Sequence, residues 1–253
     1  MRAFIRTLIR RSGFALTRPA RRASRYLAQY YPPLYYRGYV EKLVGFEALL
    51  RSIDEAHIAG DVVECGVGRG LTLYMLGYFM AARRSTRRLY GFDSFEGFPP
   101  PTAADTSDRR PVAGDLWADT SLMHVAEHFR YGELQEFFSE QVTLVPGFFS
   151  RTLRGADNPR GIALLNLDVD LYESYRDCLQ FLGPRVHGAI VYDEYRAPKW
   201  PGATRAIDEA LPRLGHQLFY AEAMGRFLSM PAGHAGGEFF TLVQTRLGLV
   251  PAS

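Results

Sequence analysis

Four carboxylates in two short stretches are the residues best placed to do chemistry. They are Asp168 and Asp170 in Leu167-Asp168-Val169-Asp170, and Asp193 and Glu194 in Val191-Tyr192-Asp193-Glu194. Each pair follows an apolar run, Ala163-Leu164-Leu165 before the first and Ala189-Ile190-Val191 before the second. Such runs read as buried strands, so the acids stand at strand ends, and neighbouring strands would gather all four at one sheet edge. Clustered like charges raise one another's pKa, a cost that a hard cation removes. All-oxygen ligands favour Mg²⁺, with Mn²⁺ or Ca²⁺ as alternatives, and Asp168 and Asp193 are the acids this reading favours most. An ion there would acidify a hydroxyl, and Asp168 or Asp170 is placed to accept its proton. The competing structural reading has Asp170 cap the helix that starts near Tyr172, and pairs the acids with Arg176 and Arg196.

A second constellation lies upstream, in Asp61-Val62-Val63-Glu64-Cys65-Gly66-Val67-Gly68-Arg69-Gly70. An apolar strand runs into glycines at every second position, which is not the Gly-x-Gly-x-x-Gly spacing of a dinucleotide site. Gly66, Gly68 and Gly70 would let the backbone turn sharply and approach a ligand at a helix N-terminus. With the Glu64 anion at the strand tip, the pattern suits a cofactor that carries an ammonium and a sulfonium. Asp93 ends the next strand, Leu89-Tyr90-Gly91-Phe92, where an acid accepts hydrogen bonds from ribose hydroxyls. Ser94 beside it completes the candidate cofactor set.

The elements that must position these residues alternate between strand and helix after Gly60. Strands are expected at 61–67, 88–93, 141–146, 161–167 and 188–193, and helices at 41–56, 70–82, 172–182 and 203–214. Residues 147–153 suit a short helix, and 115–138 look helical in parts. This alternation predicts an α/β fold, a Rossmann-like, mostly parallel sheet with helices on both faces. The tail offers strand-like pieces at 216–222, 226–230 and 238–243, some forming an antiparallel hairpin at the sheet edge. Between 94 and 138 a long polar connection, opened by Pro99-Pro100-Pro101, has the length of a lid or binding loop. Two domains of unequal weight are expected: a basic, tyrosine-rich arm at 1–40 and the α/β domain at 41–253.

Composition narrows the classes. At 253 residues and 47% hydrophobic content the chain is a folded globular protein. The formal net charge of +3 is weak grounds for a nucleic-acid partner, and none is expected. Lysine stands only at positions 42 and 199, so the basicity is almost all arginine. Cys65 and Cys178 read as buried free thiols, which suits a reducing, cytoplasmic compartment. No apolar run reaches the length of a membrane span. Residues 1–25 hold eight arginines and no acid, with Phe4, Ile5, Leu8 and Ile9 on one helical face. A peripheral contact with an anionic membrane, a presequence, and a tail packed on its own domain or a sister subunit of a homo-oligomer all fit that pattern. His57, His187, His216 and His234 read as surface or loop residues.

In order along the chain, five segments resemble the macrocin and mycinamicin O-methyltransferase family. They are Glu64-Cys65-Gly66-Val67-Gly68-Arg69-Gly70, Gly91-Phe92-Asp93-Ser94-Phe95-Glu96-Gly97-Phe98-Pro99, Val145-Pro146-Gly147-Phe148-Phe149, Leu167-Asp168-Val169-Asp170-Leu171-Tyr172-Glu173-Ser174 and Tyr192-Asp193-Glu194-Tyr195. The resemblance covers roughly 41–230. It implies a class I fold, S-adenosyl-L-methionine as methyl donor, Mg²⁺, and the hydroxyl of a sugar in a natural product, glycan or glycolipid as acceptor. It places Glu64, Gly66 and Asp93 at the cofactor and Asp168, Asp193 and Glu194 at the metal. Gly68 stands where the family has tryptophan, Val169 where it has glycine, and Glu194 where it has a second aspartate. No histidine in the 94–138 segment, His124 and His128 included, matches the family's histidine base. Two other readings compete. A catechol-type O-methyltransferase would have lysine where Leu171 stands, and a nucleotide-sugar glycosyltransferase would use Asp168-Val169-Asp170 as its metal motif. Over the strand tips, Tyr30, Tyr31, Tyr35, Tyr36, Trp117 and Trp200 are candidates to stack on a sugar.

Overall fold

The computed structural model describes residues 33–115, 120–155 and 158–252. Expectations for residues 1–25, for Tyr30, Tyr31 and Trp117, and for the side chains of Tyr35 and Tyr36 lie outside the described residues. Residues from Lys42 onward form one compact unit, and those up to Glu41 belong to another.

The first helix among the described residues, α1, runs Pro33–Glu55 and so begins eight residues before the expected start at 41. Proline at its first position lacks only an N–H that would have no helical partner there, so Pro33 is compatible with a helix start inside the tyrosine-rich arm. Phe46, Leu49, Leu50 and Ile53, spaced three and four apart, put one face into the core.

From β1 (Asp61–Cys65) the chain alternates as expected: α2 (Leu71–Ala82), β2 (Leu89–Asp93), α3 (Leu122–Tyr131), α4 (Gln135–Gln141), β3 (Val142–Pro146), α5 (Phe149–Thr152), β4 (Ile162–Leu167), α6 (Tyr172–Phe181), β5 (Val186–Tyr192), α7 (Pro201–Leu214). A hairpin of β6 (His216–Ala221) and β7 (Arg226–Pro231) follows, then α8 (Glu238–Leu247) and β8 (Leu249–Pro251). The strand expected at 238–243 is therefore a helix. Phe239, Val243 and Leu247 recur every fourth residue and all are buried, a helical period that a six-residue window is too short to show.

Among the described residues the sheet has eight strands in the order β3-β2-β1-β4-β5-β7-β6-β8. The first five are parallel, and β7, β6 and β8 pair antiparallel at one edge. Consecutive residues of a strand face opposite ways, so Val62 and Leu164 enter one core while Val63 and Leu165 enter the other. α1, α2, α3 and α8 cover the first face, and α6 and α7 the second. Each fully buried leucine or valine contributes about 1.5–3 kcal/mol, which fixes the register of the central strands. The chain leaves β1 towards β2 on one side and enters β4 on the other. The sheet thus has its switch point between β1 and β4, where a crevice opens at the strands' carboxyl ends.

Candidate active site at the carboxyl edge of the sheet

Register brings the candidate residues together. Glu64 on β1 pairs with Asn166 on β4, and Leu167 on β4 pairs with Tyr192 on β5. Two further hydrogen bonds extend these ladders past the strand ends, Asp168 N–H to the Cys65 carbonyl and Asp193 N–H to the Leu167 carbonyl, each at 3.0 Å. Asp168 and Asp193 thus share one edge with the glycine turn.

At the cofactor end, Glu64 is wholly buried. One carboxyl oxygen accepts from Asn166 Nδ2 at 3.0 Å, while Oε2 has no partner among the described residues. Burial pushes the Glu64 carboxyl well above its ordinary pKa, with Lys42 pulling it down and Asp168 adding to the rise. A buried acceptor without a donor costs about 1–3 kcal/mol, a cost that a ligand bringing a donor would remove. The ammonium of S-adenosylmethionine fits that requirement.

The glycine turn answers to the protein's own packing. Gly66 has φ +86°, and a Cβ there would lie 1.8 Å from the Asp168 carbonyl oxygen. Gly70, φ +88°, caps α2, and a Cβ there would meet Val125 at 3.0 Å. Only glycine serves at either place. Gly68 donates its N–H to Asp93 Oδ2 at 2.8 Å, and the Phe95 N–H reaches Asp93 Oδ1 at 2.8 Å. Each Asp93 oxygen keeps a further lone pair, which a hydroxyl donor could use. Ser94 donates its hydroxyl proton to the Gly97 carbonyl at 2.8 Å and accepts from the Glu96 N–H, so its side chain shapes the turn.

The acidic cluster holds together as a set. Asp168, Asp193 and Glu194 can each offer a carboxylate oxygen, all within 4.8 Å of one another. Arg176 binds Glu173 and Asp177, on its own helix. The cations facing the cluster are Lys42, 3.0 Å from Asp168 Oδ2 and 2.7 Å from Asp193 Oδ1, and Arg226, 2.9 Å from Asp193 Oδ1. Asp170 does not cap α6. Leu171 holds the N-cap position of α6 without a side-chain bond, and Asp105 Oδ1 accepts from the Tyr172 N–H at 2.7 Å. Asp170 instead has a left-handed backbone, φ +59°, and its N–H points to Glu194 Oε2 at 3.4 Å. Glu194 also accepts from the Tyr175 hydroxyl at 2.5 Å.

Electrostatics separates the four acids. Burial and the Asp193 charge push Asp168 up; burial with Asp168 pushes Asp170 well up; burial with Asp168 and Asp170 does the same to Glu194. Burial also acts to raise Asp193, but Lys42 and Arg226 outweigh it and hold that carboxyl well below the usual range. For Lys42 burial acts to lower the pKa, and Asp168 and Asp193 override it, so the ammonium stays charged. Lys42 supplies a stand-in positive charge between two candidate ligands, which shows that the oxygens converge on a cation. The donor set fits a hard divalent ion.

Lys42, Asn166, Tyr175 and Arg226 are missing from the sequence reading. Two of them left a trace: Lys42 is one of two lysines in the chain, and Asn166 is the polar residue inside an apolar strand. Trp200 is buried and packs edge-on against Phe98 at 5.6 Å, so it is not available to stack on a sugar. His216 is half-buried on β6 with Nδ1 3.1 Å from Ser229 Oγ, not a loose surface residue. His124 is exposed on α3, and Cys65 and Cys178 are buried free thiols. The segment after β2 is fastened down by Asp105 and by Ser107, whose hydroxyl donates to the Lys199 carbonyl at 2.8 Å.

Comparison with known proteins gives three kinds of likeness. The profile of the macrocin-O-methyltransferase (TylF) family matches residues 7–213. A Streptomyces olivaceus protein, 8-demethyl-8-(2,3-dimethoxy-alpha-L-rhamnosyl)-tetracenomycin-C 4'-O-methyltransferase, is 38% identical over 146 residues, 54% of either chain. Mycinamicin III 3''-O-methyltransferase of Micromonospora griseorubida is 34% identical over 154 residues, 56% of this chain and 57% of its own. The chain thus spans little more than half the length of these relatives. Among solved structures, the O-methyltransferase NovP superposes with a TM-score of 0.65 at 27% identity, covering 76% of this chain and 79% of that one.

Proposed function

The chain belongs to the macrocin-O-methyltransferase family, and from that premise we propose that it transfers the methyl group of S-adenosylmethionine to a sugar hydroxyl of a natural-product glycoside, with Mg²⁺ in the acidic cluster. Its sheet is the Rossmann-like sheet of class I methyltransferases. The observation that carries the proposal is that Glu64, with an unpartnered buried oxygen, and the convergent Asp168, Asp193 and Glu194 stand at one sheet edge. The Gly66–Asp168 backbone contact ties the two halves together.

In this reading Glu64 binds the donor's ammonium and Asp93 its ribose hydroxyls, while Gly68 lets the turn come close. Asp168, Asp193 and Glu194 hold the divalent ion, for which Mn²⁺ is a substitute. When bound, such an ion supplies a Lewis acid that lowers the pKa of an acceptor hydroxyl. Asp168 or Asp170 would take the hydroxyl proton as the acceptor oxygen bonds to the methyl carbon and the C–S bond breaks in line, S-adenosylhomocysteine leaving as a neutral thioether. Tyr175 and the Asp170 N–H fix the orientation of Glu194, and Arg226 fixes Asp193. The fastened segment after β2 forms a wall of the acceptor side. The glycosyltransferase and catechol readings gain nothing from the strand order or from the relatives, which are sugar O-methyltransferases by name in the rhamnosyl case.

We place the protein in the cytoplasm on the strength of its two buried free thiols, and we assign residues 1–25 to contact with an anionic membrane or a sister subunit. No helix among the described residues is long and apolar enough to cross a membrane. Removing 1–25 and measuring vesicle binding and sedimentation tests that assignment; unchanged behaviour in both removes it. The activity itself is tested by incubating the chain with S-adenosylmethionine, Mg²⁺ and a panel of deoxysugar glycosides. Methylated product that disappears with EDTA supports the proposal; chelator-resistant turnover removes the metal from it.

A further inference from the structure

Lys42 rests, on the preceding reading, where a metal ion has business. Its ammonium lies 2.7 Å from Asp193 and 3.0 Å from Asp168, two of the three residues whose oxygens converge. The side chain is buried, 9% exposed, and comes from α1, outside the strand-end loops that supply the acids. Oxygens engaged at 2.0–2.1 Å by Mg²⁺ cannot also hold a buried ammonium in the same gap, because two cations in a low-dielectric cluster repel.

We infer that Lys42 is the resident counter-cation of this cluster and is displaced when a divalent ion binds, so that ion loading and the position of the Lys42 side chain form one switch. Without an ion, the convergent oxygens of half-buried Asp168 and Asp193 and buried Glu194 would repel, with Arg226 as the other cation bonded to them; Lys42 relieves that repulsion and keeps the edge folded. Its four-carbon stem lets the ammonium swing out while α1 stays packed through Phe46, Leu49 and Ile53. Arg226, which also donates to the Gly225 carbonyl, keeps Asp193 oriented in both states.

The two lysines make the test direct, because Lys199, exposed although its charge reaches Asp170, gives the rate of an accessible amine beside buried Lys42. The full chain is acylated with an amine-reactive ester with and without Mn²⁺, each lysine's rate is read by mass spectrometry, and bound Mn²⁺ is counted by electron paramagnetic resonance. Without Mn²⁺, Lys42 reacts about tenfold or more slowly than Lys199; saturation raises the Lys42 rate by about tenfold and leaves Lys199 within about twofold. Lys42→Met binds Mn²⁺ about tenfold or more tightly than the parent and loses stability in EDTA, regained on adding Mn²⁺. Mn²⁺ bound while Lys42 stays protected overturns the switch, and so does equal affinity of the two proteins. If neither protein takes up Mn²⁺, the metal reading on which the inference rests fails instead.

Discussion

Gly66→Ala is the substitution that most sharply probes the link between the two halves of the site. The new Cβ would sit 1.8 Å from the Asp168 carbonyl oxygen, so about 1.6 Å of movement is needed to reach an ordinary 3.4 Å contact. The backbone at φ +86° adds about 1–2 kcal/mol for any residue with a side chain. Forcing atoms into a packed edge adds about 1–3 kcal/mol. The expected loss is therefore roughly 2–5 kcal/mol in denaturant unfolding. Since the movement separates the β1 turn from Asp168, affinity for S-adenosylmethionine and for Mn²⁺ should fall together, each by about tenfold or more. Calorimetric titration with each ligand reads the two affinities separately. A variant within about 0.5 kcal/mol of the parent, or one that loses the cofactor and keeps Mn²⁺ affinity, would refute the coupling.

Other perturbations test single parts. Glu64→Gln keeps the side chain's size and removes a carboxyl whose charge burial already disfavours, so the unliganded protein should unfold no more easily than the parent, yet bind S-adenosylmethionine about 10–100-fold more weakly by calorimetry. Tyr175→Phe takes a donor from buried Glu194 and should cost about 1–3 kcal/mol in urea unfolding; no loss would mean that the 2.5 Å hydrogen bond carries no weight. His216, held down to about 4 by burial and by His234, stays neutral in the fold while the unfolded chain takes up a proton near pH 6.5. Stability should therefore fall as pH drops from about 6.5 to about 4, by about 1–2 kcal/mol after allowance for partial exposure, and His216→Asn should flatten that slope.

Much of this fold was legible because its strands are buried on both faces. Ala163-Leu164-Leu165 and Ala189-Ile190-Val191 read as strands since little but a parallel core strand is that apolar and that short. The acids at their ends were legible for the same reason: a charge that follows such a run marks where the strand leaves the core. What stayed hidden depends on distance in sequence. Lys42 meets Asp168 across 126 residues, and no local pattern announces an ammonium delivered by a preceding helix. Asp105 took the capping role at Tyr172 that local spacing gave to Asp170, because a loop 67 residues upstream folds back over the helix. At 238–243, Phe239-Phe240 carry strand propensity, and only the longer period through Leu247 and the packing of α8 on the sheet decide for helix.

The central claim is that the methyl donor and the divalent ion share one sheet edge. Electron–nuclear double resonance on the full chain with Mn²⁺ and S-adenosylmethionine labelled with ¹³C at its methyl group measures this directly. A resolved ¹³C coupling to the bound Mn²⁺, lost in Asp168→Asn, is the predicted result. Saturation of both ligands with no coupling between them would contradict the account.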